Sequence, residues 1–365
     1  MEYRLIEARD ENYREHILSG RAILDVRSPG EFARGHIPGA INAPLLDDED
    51  RHLVGIRHKE NGTQAAVELG HKLVCGEKKE RILQAWKNII EENPDIVVMC
   101  ARGGNRSKIS QEWIRQDLGY DLGRFEEGYK LFRQYLMRAL LPENIRIPSL
   151  IVSGNTGSGK TVLIKRLSMA IDLEGIAYHR GSAFGGRLHE QPSQANFENR
   201  LAVEMIRMQE KNPKFIAFES ESKGIGKVQI PNEFFEYMHS APYVFLESSM
   251  EERVQFTFDD YVTKDLEEYR RAYGFEKGKE LWRSALREKV LKIQKKLGPE
   301  RLATCLAYFD KAEASDPSLH KKWIEYLLVE YYDPMYEHHR HRWCEKIIKS
   351  APMDEMERFL NERNQ

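Results

Sequence analysis

Cys100, Arg102 and Arg106 place one thiol and two guanidinium groups within seven residues of the chain, a combination that could support nucleophilic chemistry. Apolar residues 97–99 lead into the cysteine and Ser107 opens an amphipathic pattern, which predicts a strand, a tight glycine-containing loop and a helix. The N–H groups of such a loop, the positive end of the helix and the two guanidinium groups all favour an anion. We therefore expect Cys100 to be a thiolate that acts as a nucleophile or carries a transferable sulfur or selenium atom. A core cysteine at a strand end is the alternative, but it gives the arginines no purpose.

A second stretch has the spacing of a phosphate-binding loop. The apolar residues 150–153 are followed by Gly154, Asn155, Thr156, Gly157, Ser158, Gly159, Lys160 and Thr161, which match G-x-x-x-x-G-K-[ST]. The pattern lies between a predicted strand and a predicted helix, the context that the motif requires. Its amides would surround a phosphate, Lys160 would supply a point charge, and Thr161 could hold Mg²⁺. The pattern does not say which phosphate is bound.

Polar residues near this loop are candidates for the same site. Glu219 and Glu221 follow the apolar run 215–218, where a nucleotide hydrolase usually carries a metal-holding carboxylate. A magnesium ligand, a base and a solvated strand end all remain open for them. We expect the polar loops 180–186 and 191–194, with Arg180 and Ser182 in the first, to grip substrate, although such loops are usually connectors.

Composition limits the class of protein. The chain has 365 residues, 41% hydrophobic and 31% charged, which predicts a globular protein of two domains. Its four cysteines are scattered without a C-x-x-C pair, so we expect a reducing cytoplasmic setting with no disulfide framework, no zinc and no other metal ligand set. The N-terminus lacks an apolar signal region, and no stretch approaches a membrane span. A net charge of -2 means that any nucleic-acid contact must come from local basic patches.

The elements around these motifs predict parallel sheets. Strand-like residues 22–27 precede a turn at 28–30 and a short helix ending at Gly35, helical spacing covers 65–73 and 81–90, and a strand at 96–99 leads into Cys100. Alternation of this kind is typical of a parallel sheet covered on both faces, with its site at the carboxyl ends of the strands. Pro142 and Pro148 bracket the expected linker. We predict domains at 1–145 and 146–262 and a helical extension at 263–365.

The final third is densely charged. Two groups of basic residues occur there: Lys289, Lys292, Lys295 and Lys296 at helical spacing, and Arg340 and Arg342 near His338, His339 and His341. Such runs are usually solvated faces, and an RNA-backbone clamp is the functional alternative. The histidines lack a supporting carboxylate pattern for a metal. The aromatic group at 331–336 predicts core packing or stacking on a base.

Three segments in order resemble the rhodanese domain: Asp25-Val26-Arg27, Glu31-Phe32 with the run 35–42, and the Cys100 loop. The resemblance implies that Cys100 receives a chalcogen and passes it on, while Asp25 and Arg27 brace the loop. An ordinary surface ion pair is the alternative for those two residues. The Cys-x5-Arg spacing is also that of tyrosine phosphatases, but Met99 stands where those enzymes usually carry a histidine.

The whole chain resembles the tRNA 2-selenouridine synthase family. Beyond the two loops, the resemblance rests on the runs 181–185, 191–194, 219–221 and 332–336. It implies an α/β fold with an N-terminal rhodanese-like parallel-sheet domain and a P-loop NTPase-like α/β domain with a helical C-terminal part. The cysteine loop departs from the family pattern at Ala101 and Asn105, where tryptophan and methionine are usual, and residues 54–59 depart as well.

The resemblance also implies a reaction. Sulfur in the wobble 2-thiouridine of tRNAs for lysine, glutamate and glutamine would be replaced by selenium from selenophosphate, through an S-geranyl intermediate made from geranyl diphosphate. No further cofactor is implied, and the helical extension would contact tRNA. An enzyme that supplies selenophosphate is an expected partner. A sulfurtransferase regulated by ATP or GTP and a non-catalytic tRNA-binding adaptor are the competing functions.

Overall fold

The computed structural model describes residues 3–182, 184–314, 317–335 and 344–365. The chain divides into two compact units, Met1–Asn144 with Ser193–Glu210, and Ile145–Pro192 with Lys211–Gln365. Within these described ranges, no helix combines the length and the apolar character that crossing a membrane requires. The sequence-predicted linker at 142–148 coincides with the boundary at Asn144, after a 3₁₀ turn at Pro142–Asn144.

The first unit contains a parallel sheet of five strands. They are β1 (Leu5–Ile6), β2 (Ile23–Asp25), β3 (Ala40–Asn42), β4 (Val97–Met99) and β5 (Arg124–Phe125), in the order β1-β5-β4-β2-β3. Every residue of β2 and β4 is buried, which is why both read as apolar runs in the sequence. The predicted parallel sheet is confirmed.

Helices surround this sheet. They are α1 (Asp10–Ser19), α2 (Pro29–Arg34), α3 (Asp48–Leu73), α4 (Gly76–Glu92), α5 (Asn105–Leu118) and α6 (Gly128–Ala139). A capping box formed by Ser28 and Glu31 starts α2. The long α3 is kinked at Gly62, whose φ of 83° is not helical. Trp86 and Ile90 of α4 and Ile114 of α5 are buried in the core of this unit.

One helix from later in the chain, α9 (Gln194–Lys211), also belongs to the first unit. Arg133 of α6 donates to Ala195 O at 3.1 Å and to Asn199 Oδ1 at 2.6 Å. Asn199 Nδ2 in turn donates to His36 O at 2.7 Å. These partly buried hydrogen bonds join α9 to the first unit, so the prediction that it belongs to a domain at 146–262 is wrong. The sequence could not show this, because the contacts join residues that are far apart in the chain.

The second unit has its own parallel sheet. Its strands are β6 (Ser149–Ser153), β7 (Ala170–Ile171), β8 (Ile216–Glu219), β11 (Tyr243–Leu246) and β12 (Ile347–Ala351), in the order β12-β11-β6-β8-β7, and β9 (Gly224–Ile225) and β10 (Val228–Gln229) form a small antiparallel hairpin. The helices beside these strands are α7 (Lys160–Arg166), α8 (Leu173–Ala177), α10 (Asn232–Ser240) and α17 (Met353–Asn364). Since β12 lies at an edge of this sheet, the last residues are part of the P-loop unit and not of a separate helical extension.

The rest of the second unit is helical. Its helices are α11 (Met250–Phe258), α12 (Asp265–Tyr273), α13 (Phe275–Lys292), α14 (Gln294–Leu297), α15 (Pro299–Ala314) and α16 (His320–Leu327), with π-helical turns at Asp259–Lys264 and Leu328–Tyr332. Trp282, Phe309, Trp323 and Tyr331 share one core. Core packing is therefore the correct interpretation of Tyr331.

The basic face predicted on one helix is not continuous. α13 ends at Lys292 and α14 begins at Gln294, so Lys295 and Lys296 belong to another helix. Lys289 is largely buried and its Nζ donates to Gly186 O at 2.6 Å. Burial also lowers the pKa of Lys289. The other predicted basic group, His338, His339, Arg340, His341 and Arg342, lies outside the described residues, as do Ala183 and Tyr336.

Candidate functional site

Cys100 lies directly after β4, at the start of the predicted loop. Its Sγ is 3.2 Å from Ser107 Oγ in the first turns of α5, and the residue is 2% exposed. The backbone N–H groups of Tyr129 and Lys130 donate to Cys100 O at 2.9 Å and to Ala101 O at 3.0 Å. The N-terminus of α6 therefore fixes the backbone on which the sulfur is carried.

Two glycines make this close packing possible. Gly103 has a φ of 63°, and a Cβ there would lie 1.4 Å from Glu126 O. Gly128 also has a φ of 63°, and its Cβ would lie 2.2 Å from Cys100 O. No residue with a side chain fits either place, so both glycines are required by the backbone. The sequence pointed to Gly103, whereas nothing in the local pattern singled out Gly128.

Replacing Gly103 by alanine should destabilise the protein by roughly 2–4 kcal/mol, because the new Cβ adds left-handed strain and a backbone clash. Gly104 is the matched control: its φ is -80° and a Cβ there would meet nothing within 4 Å. Gly104→Ala should stay within about 0.5 kcal/mol of the original protein. Urea unfolding followed by circular dichroism measures both. Equal losses in the two variants would contradict this account of the loop.

Asp25 and Arg27 form a buried pair behind the loop. Arg27 Nη2 donates to Asp25 Oδ2 at 2.6 Å and to Gly35 O at 2.8 Å, and its guanidinium lies 4.0 Å from the ring centre of Tyr129. The side chain of Arg27 is 4% exposed and that of Asp25 is 0% exposed. The surface ion pair weighed as an alternative is therefore wrong. The pair supports the loop through Tyr129, which donates to Cys100 O.

The two arginines of the loop differ in their surroundings. Arg102 is exposed, whereas Arg106 is paired with Glu31 of α2 through Nη1 at 2.5 Å and Nη2 at 3.2 Å. Burial alone would raise the pKa of Glu31, but the hydrogen bond and charge of Arg106 lower it to about 2. Glu31 thus offsets part of the positive field at the loop. In the sequence, Glu31 stands out only as part of the segment that resembles the rhodanese domain.

A cavity of about 680 Å³ lies beside the sulfur in the first unit. Cys100, Arg102 and Arg106 line it together with residues of α3 and α5. Ala101 and Asn105, where the loop departs from the family pattern, line the same cavity, as do Val54, Gly55, Ile56, His58 and Lys59 of the other departing segment. The nearly buried cysteine therefore lines this cavity.

The phosphate-binding loop joins β6 to α7 as predicted. Gly157 and Gly159 have φ values of 79° and 85°, which favour glycine. Lys160 Nζ donates to Gly154 O at 2.9 Å and to Asn155 O at 3.2 Å. The hydroxyl of Ser158 is buried and has no hydrogen-bond partner among the described residues. A cationic lysine over a ring of backbone groups and an unsatisfied hydroxyl fit an anionic ligand.

Carboxylates gather next to this loop. Thr161 Oγ1 donates to Glu174 Oε2 at 2.7 Å, and Glu221 interacts with both Glu174 and Lys160. Burial, followed by the negative charge of Glu174, raises the pKa of Glu221 to about 8. Glu219 is fully buried and one of its oxygens accepts from Leu173 N at 3.0 Å, so a solvated strand end is the wrong interpretation of that residue. Burial raises its pKa strongly.

These carboxylates do not form a dedicated metal centre. In the described ranges, no three His, Cys, Asp or Glu side chains are grouped so that they could hold a metal ion. Mg²⁺ takes oxygen ligands such as the Thr161 hydroxyl and the second oxygen of Glu219, which has no hydrogen-bond partner in the described part of the chain.

The two polar loops have different roles. Arg180 is bound to Asp265 through contacts of 2.5 and 3.2 Å, and Ser182 Oγ lies 2.6 Å from the hydroxyl of Tyr261. Gly181 between them lies against Glu221, since a Cβ there would be 2.3 Å from its Oε2. The first loop therefore flanks the phosphate-binding site, but its side chains already have partners.

In the loop at 191–194, Gln191 and Ser193 form hydrogen bonds within the protein. Gln191 Nε2 donates to Ala177 O at 3.0 Å and to Ile225 O at 2.9 Å, and its Oε1 accepts from Lys227 N at 2.7 Å. Ser193 Oγ accepts from Asn196 N at 3.2 Å near the start of α9. The expectation that this segment grips substrate stays a prediction.

Arg253, which the sequence analysis does not single out, supports the phosphate-binding loop and pairs with Asp333 of the run 332–336. Arg253 of α11 is 5% exposed; its Nε donates to Thr156 O at 3.0 Å and its guanidinium pairs with Asp333 at 2.6 and 3.0 Å. Nothing in the local pattern around Arg253 signals this contact.

Comparison with known proteins agrees with both halves of this description. Residues 8–135 match the Rhodanese-like domain, and residues 147–365 match the tRNA 2-selenouridine synthase AAA domain. Curated proteins called tRNA 2-selenouridine synthase are similar over nearly the whole chain. The one from Sulfurovum sp. is 41% identical over 96% of this chain and 97% of its own length. This chain belongs to the tRNA 2-selenouridine synthase family.

Two further members of the family are similar over the same extent. The protein from Cupriavidus pinatubonensis is 38% identical over 97% of this chain and 98% of its own, and that from Alcanivorax borkumensis is 39% identical over 96% and 98%. Both the family resemblance and the α/β fold predicted from the motifs are confirmed. In this member of the family, the cysteine loop lies in one unit and the phosphate-binding loop lies in the other.

Proposed function

We propose that this protein is a tRNA 2-selenouridine synthase that works in two steps at the wobble uridine. It first geranylates 2-thiouridine with geranyl diphosphate, and then replaces the geranylated sulfur with selenium from selenophosphate. The observation that carries the proposal is the presence in one chain of a cavity-facing cysteine and of a phosphate-binding loop with Lys160 at its end. The substrates are tRNAs for lysine, glutamate and glutamine, and an enzyme that makes selenophosphate is the expected partner.

Geranylation needs an anion cradle. The thiocarbonyl sulfur forms a bond to C1 of the geranyl group, the C–O bond to diphosphate breaks, and the uridine loses its N3 proton. Lys160 and the loop amides would stabilise the departing diphosphate, which requires no nucleotide hydrolysis. Mg²⁺ entering with the diphosphate would be held by the Thr161 hydroxyl and would help to neutralise the leaving group.

Selenation needs a nucleophilic carrier, and Cys100 is the candidate as Cys–S–Se⁻. The selenium forms a bond to C2 of the uridine, the C2–S bond breaks, and geranyl thiolate departs. Thiols then cleave the S–Se bond, which restores Cys100 and leaves C2=Se. When selenophosphate loads Cys100, the Se–P bond breaks, the phosphoryl group passes to water as phosphate, and the S–Se bond forms. This loading oxidises selenium by two electrons, and a small-molecule disulfide takes them up as two thiols. The thiols of the release step regenerate that disulfide, so the cycle balances.

Diphosphate binding should weaken as the pH rises through about 8. Glu221 is neutral below its raised pKa of about 8 and becomes negative above it, beside the lysine that attracts the ligand. Between pH 7 and pH 9, we expect the affinity of the original protein for inorganic diphosphate to fall about tenfold more than the affinity of the Glu221→Gln variant, because the glutamine side chain stays neutral. Equilibrium dialysis of labelled diphosphate measures this. Identical pH profiles for the two proteins would contradict a role for this charge.

Mass spectrometry of nucleosides tests the proposal as a whole. The full chain is incubated with thiolated tRNA, geranyl diphosphate and selenophosphate. We expect S-geranyl-2-thiouridine without selenophosphate and 2-selenouridine with it. Tight ATP or GTP binding with hydrolysis and no geranylation would favour a regulated sulfurtransferase, whereas unmodified tRNA under all conditions would favour an adaptor.

A further inference from the structure

The cavity beside Cys100 has an apolar wall that sulfur or selenium chemistry alone does not need. Its apolar lining comes mainly from α3 and α5 and includes Leu46, Val54, Ala66, Val67, Ile109 and Trp113. Leu46 and Ala66 are 5% and 4% exposed, so the wall is part of the packed unit. A volume of about 680 Å³ lies within the range of small-molecule sites, roughly 300–1,000 Å³. Selenophosphate is small and fully polar and would leave such a wall unfilled.

The apolar wall includes residues from both sides of the kink in α3. Val54 precedes Gly62 and Val67 follows it, and both line the cavity. The two halves of the helix thus contribute apolar side chains to one space.

The polar part of the lining is mostly basic. It includes Arg51, His52, His58, Lys59, Arg102 and Arg106. Glu31 is the one acidic residue of the lining, and it is already paired with Arg106. A ligand that matches this cavity has an apolar chain joined to an anionic group.

We infer that the cavity binds the prenyl chain of the S-geranylated wobble uridine and so places its C2–S bond at Cys100. The inference rests on the proposed function and adds to it the site that recognises the intermediate. As selenium on Cys100 forms its bond to C2, the C2–S bond breaks and the electron pair leaves on the prenyl sulfur. That sulfur takes up a proton, and the geranyl thiol remains in the cavity until it is released. The basic residues of the lining would favour the phosphates of the same nucleotide.

This placement predicts that selenation depends on chain length. Anticodon stem-loops carrying S-geranyl- or S-methyl-2-thiouridine are each mixed with excess full-length protein and selenophosphate, and single-turnover rates are measured by nucleoside mass spectrometry. The geranylated substrate should react about tenfold faster or more, since an apolar pocket discriminates strongly between chains of different length.

A filling substitution tests the site directly. Val67→Phe places a larger side chain in the cavity and should lower the rate with the geranylated substrate to that with the methylated one. Glu68→Phe is the matched control, because Glu68 is exposed, is the next residue of α3 and does not line the cavity. Ile109→Trp, on the other helix, is a second filling variant in case Val67→Phe does not fold.

Binding of geranyl thiol, measured by equilibrium dialysis, separates this inference from the proposed function. If no substrate is selenated, the proposed function fails, and the dialysis experiment alone decides the inference. Saturable binding of geranyl thiol that is lost in Val67→Phe but kept in Glu68→Phe supports the inference. Any other binding result overturns it. If selenation occurs at equal rates with both chain lengths, the proposed function stands and the inference is overturned.

Discussion

Replacing Cys100 by alanine should abolish formation of 2-selenouridine while S-geranyl-2-thiouridine still accumulates. Cys100 is the thiol on the cavity at the carboxyl end of β4, and no other side chain of that loop can carry selenium. Loss of a covalent carrier typically costs about 10³-fold or more in rate. The phosphate-binding loop lies in the other unit and is untouched by the substitution. Nucleoside mass spectrometry of tRNA from the two reactions gives both readouts.

Cys75 supplies the control for this variant. It is an exposed free cysteine in the same unit, so Cys75→Ala should leave both products unchanged. Cys100→Ser keeps the size of the side chain and should also lose selenation, which separates loss of sulfur from a packing defect. Selenation that survives in Cys100→Ala would eliminate the carrier role. Phosphatase turnover that disappears in Cys100→Ser would instead revive the alternative based on Cys-x5-Arg spacing.

Lys160→Ala should have the complementary effect and stop geranylation. Its ammonium group lies over the carbonyls of Gly154 and Asn155, at the position where a departing diphosphate would meet the loop. Removing one such charge from a developing anion costs about 10²–10³-fold in rate. We expect saturable binding of geranyl diphosphate to weaken as well. The measurement is the initial rate of S-geranyl-2-thiouridine formation from thiolated tRNA.

Lys165 on the same helix is the matched control. Its side chain is 56% exposed and its Nζ lies 3.5 Å from Asp172, so Lys165→Ala removes the same charge without touching the loop. Supplying tRNA that is already geranylated should restore selenation in Lys160→Ala. Failure of that rescue, or loss of selenation with intact geranylation, would reverse the division of labour between the two loops.

The two loops could be predicted because their geometry is local. In each, an apolar strand, a glycine-containing turn and a helix follow one another directly, so the order of residues fixes which groups face the ligand. Cys100 and Lys160 lie where this order places them, at the end of β4 and at the first residue of α7. The parallel sheets followed from the same alternation of strands and helices.

The partners of these residues were not predictable. Arg106 pairs with Glu31, 75 residues away in the chain, and Arg253 pairs with Asp333, 80 residues away. Helix α9 belongs to the first unit, although the residues before and after it in the chain belong to the second. Each of these contacts depends on packing between distant segments, which leaves no periodic signal. Lys289 shows the converse: its spacing indicated a basic face, but packing turned it toward Gly186 and Asp265.

By itself, then, the sequence determined the chemistry available to this protein: a thiol and an anion cradle, each at the end of a strand. The tertiary structure decided the surroundings of those groups. It gave Cys100 a cavity with an apolar wall that comes mainly from α3 and α5, and it placed Glu174 and Glu221 beside Lys160, where burial raises their pKa values. The physical reason is that burial, cavity shape and charge pairing depend on residues distant in the chain, whereas loop geometry depends on consecutive ones.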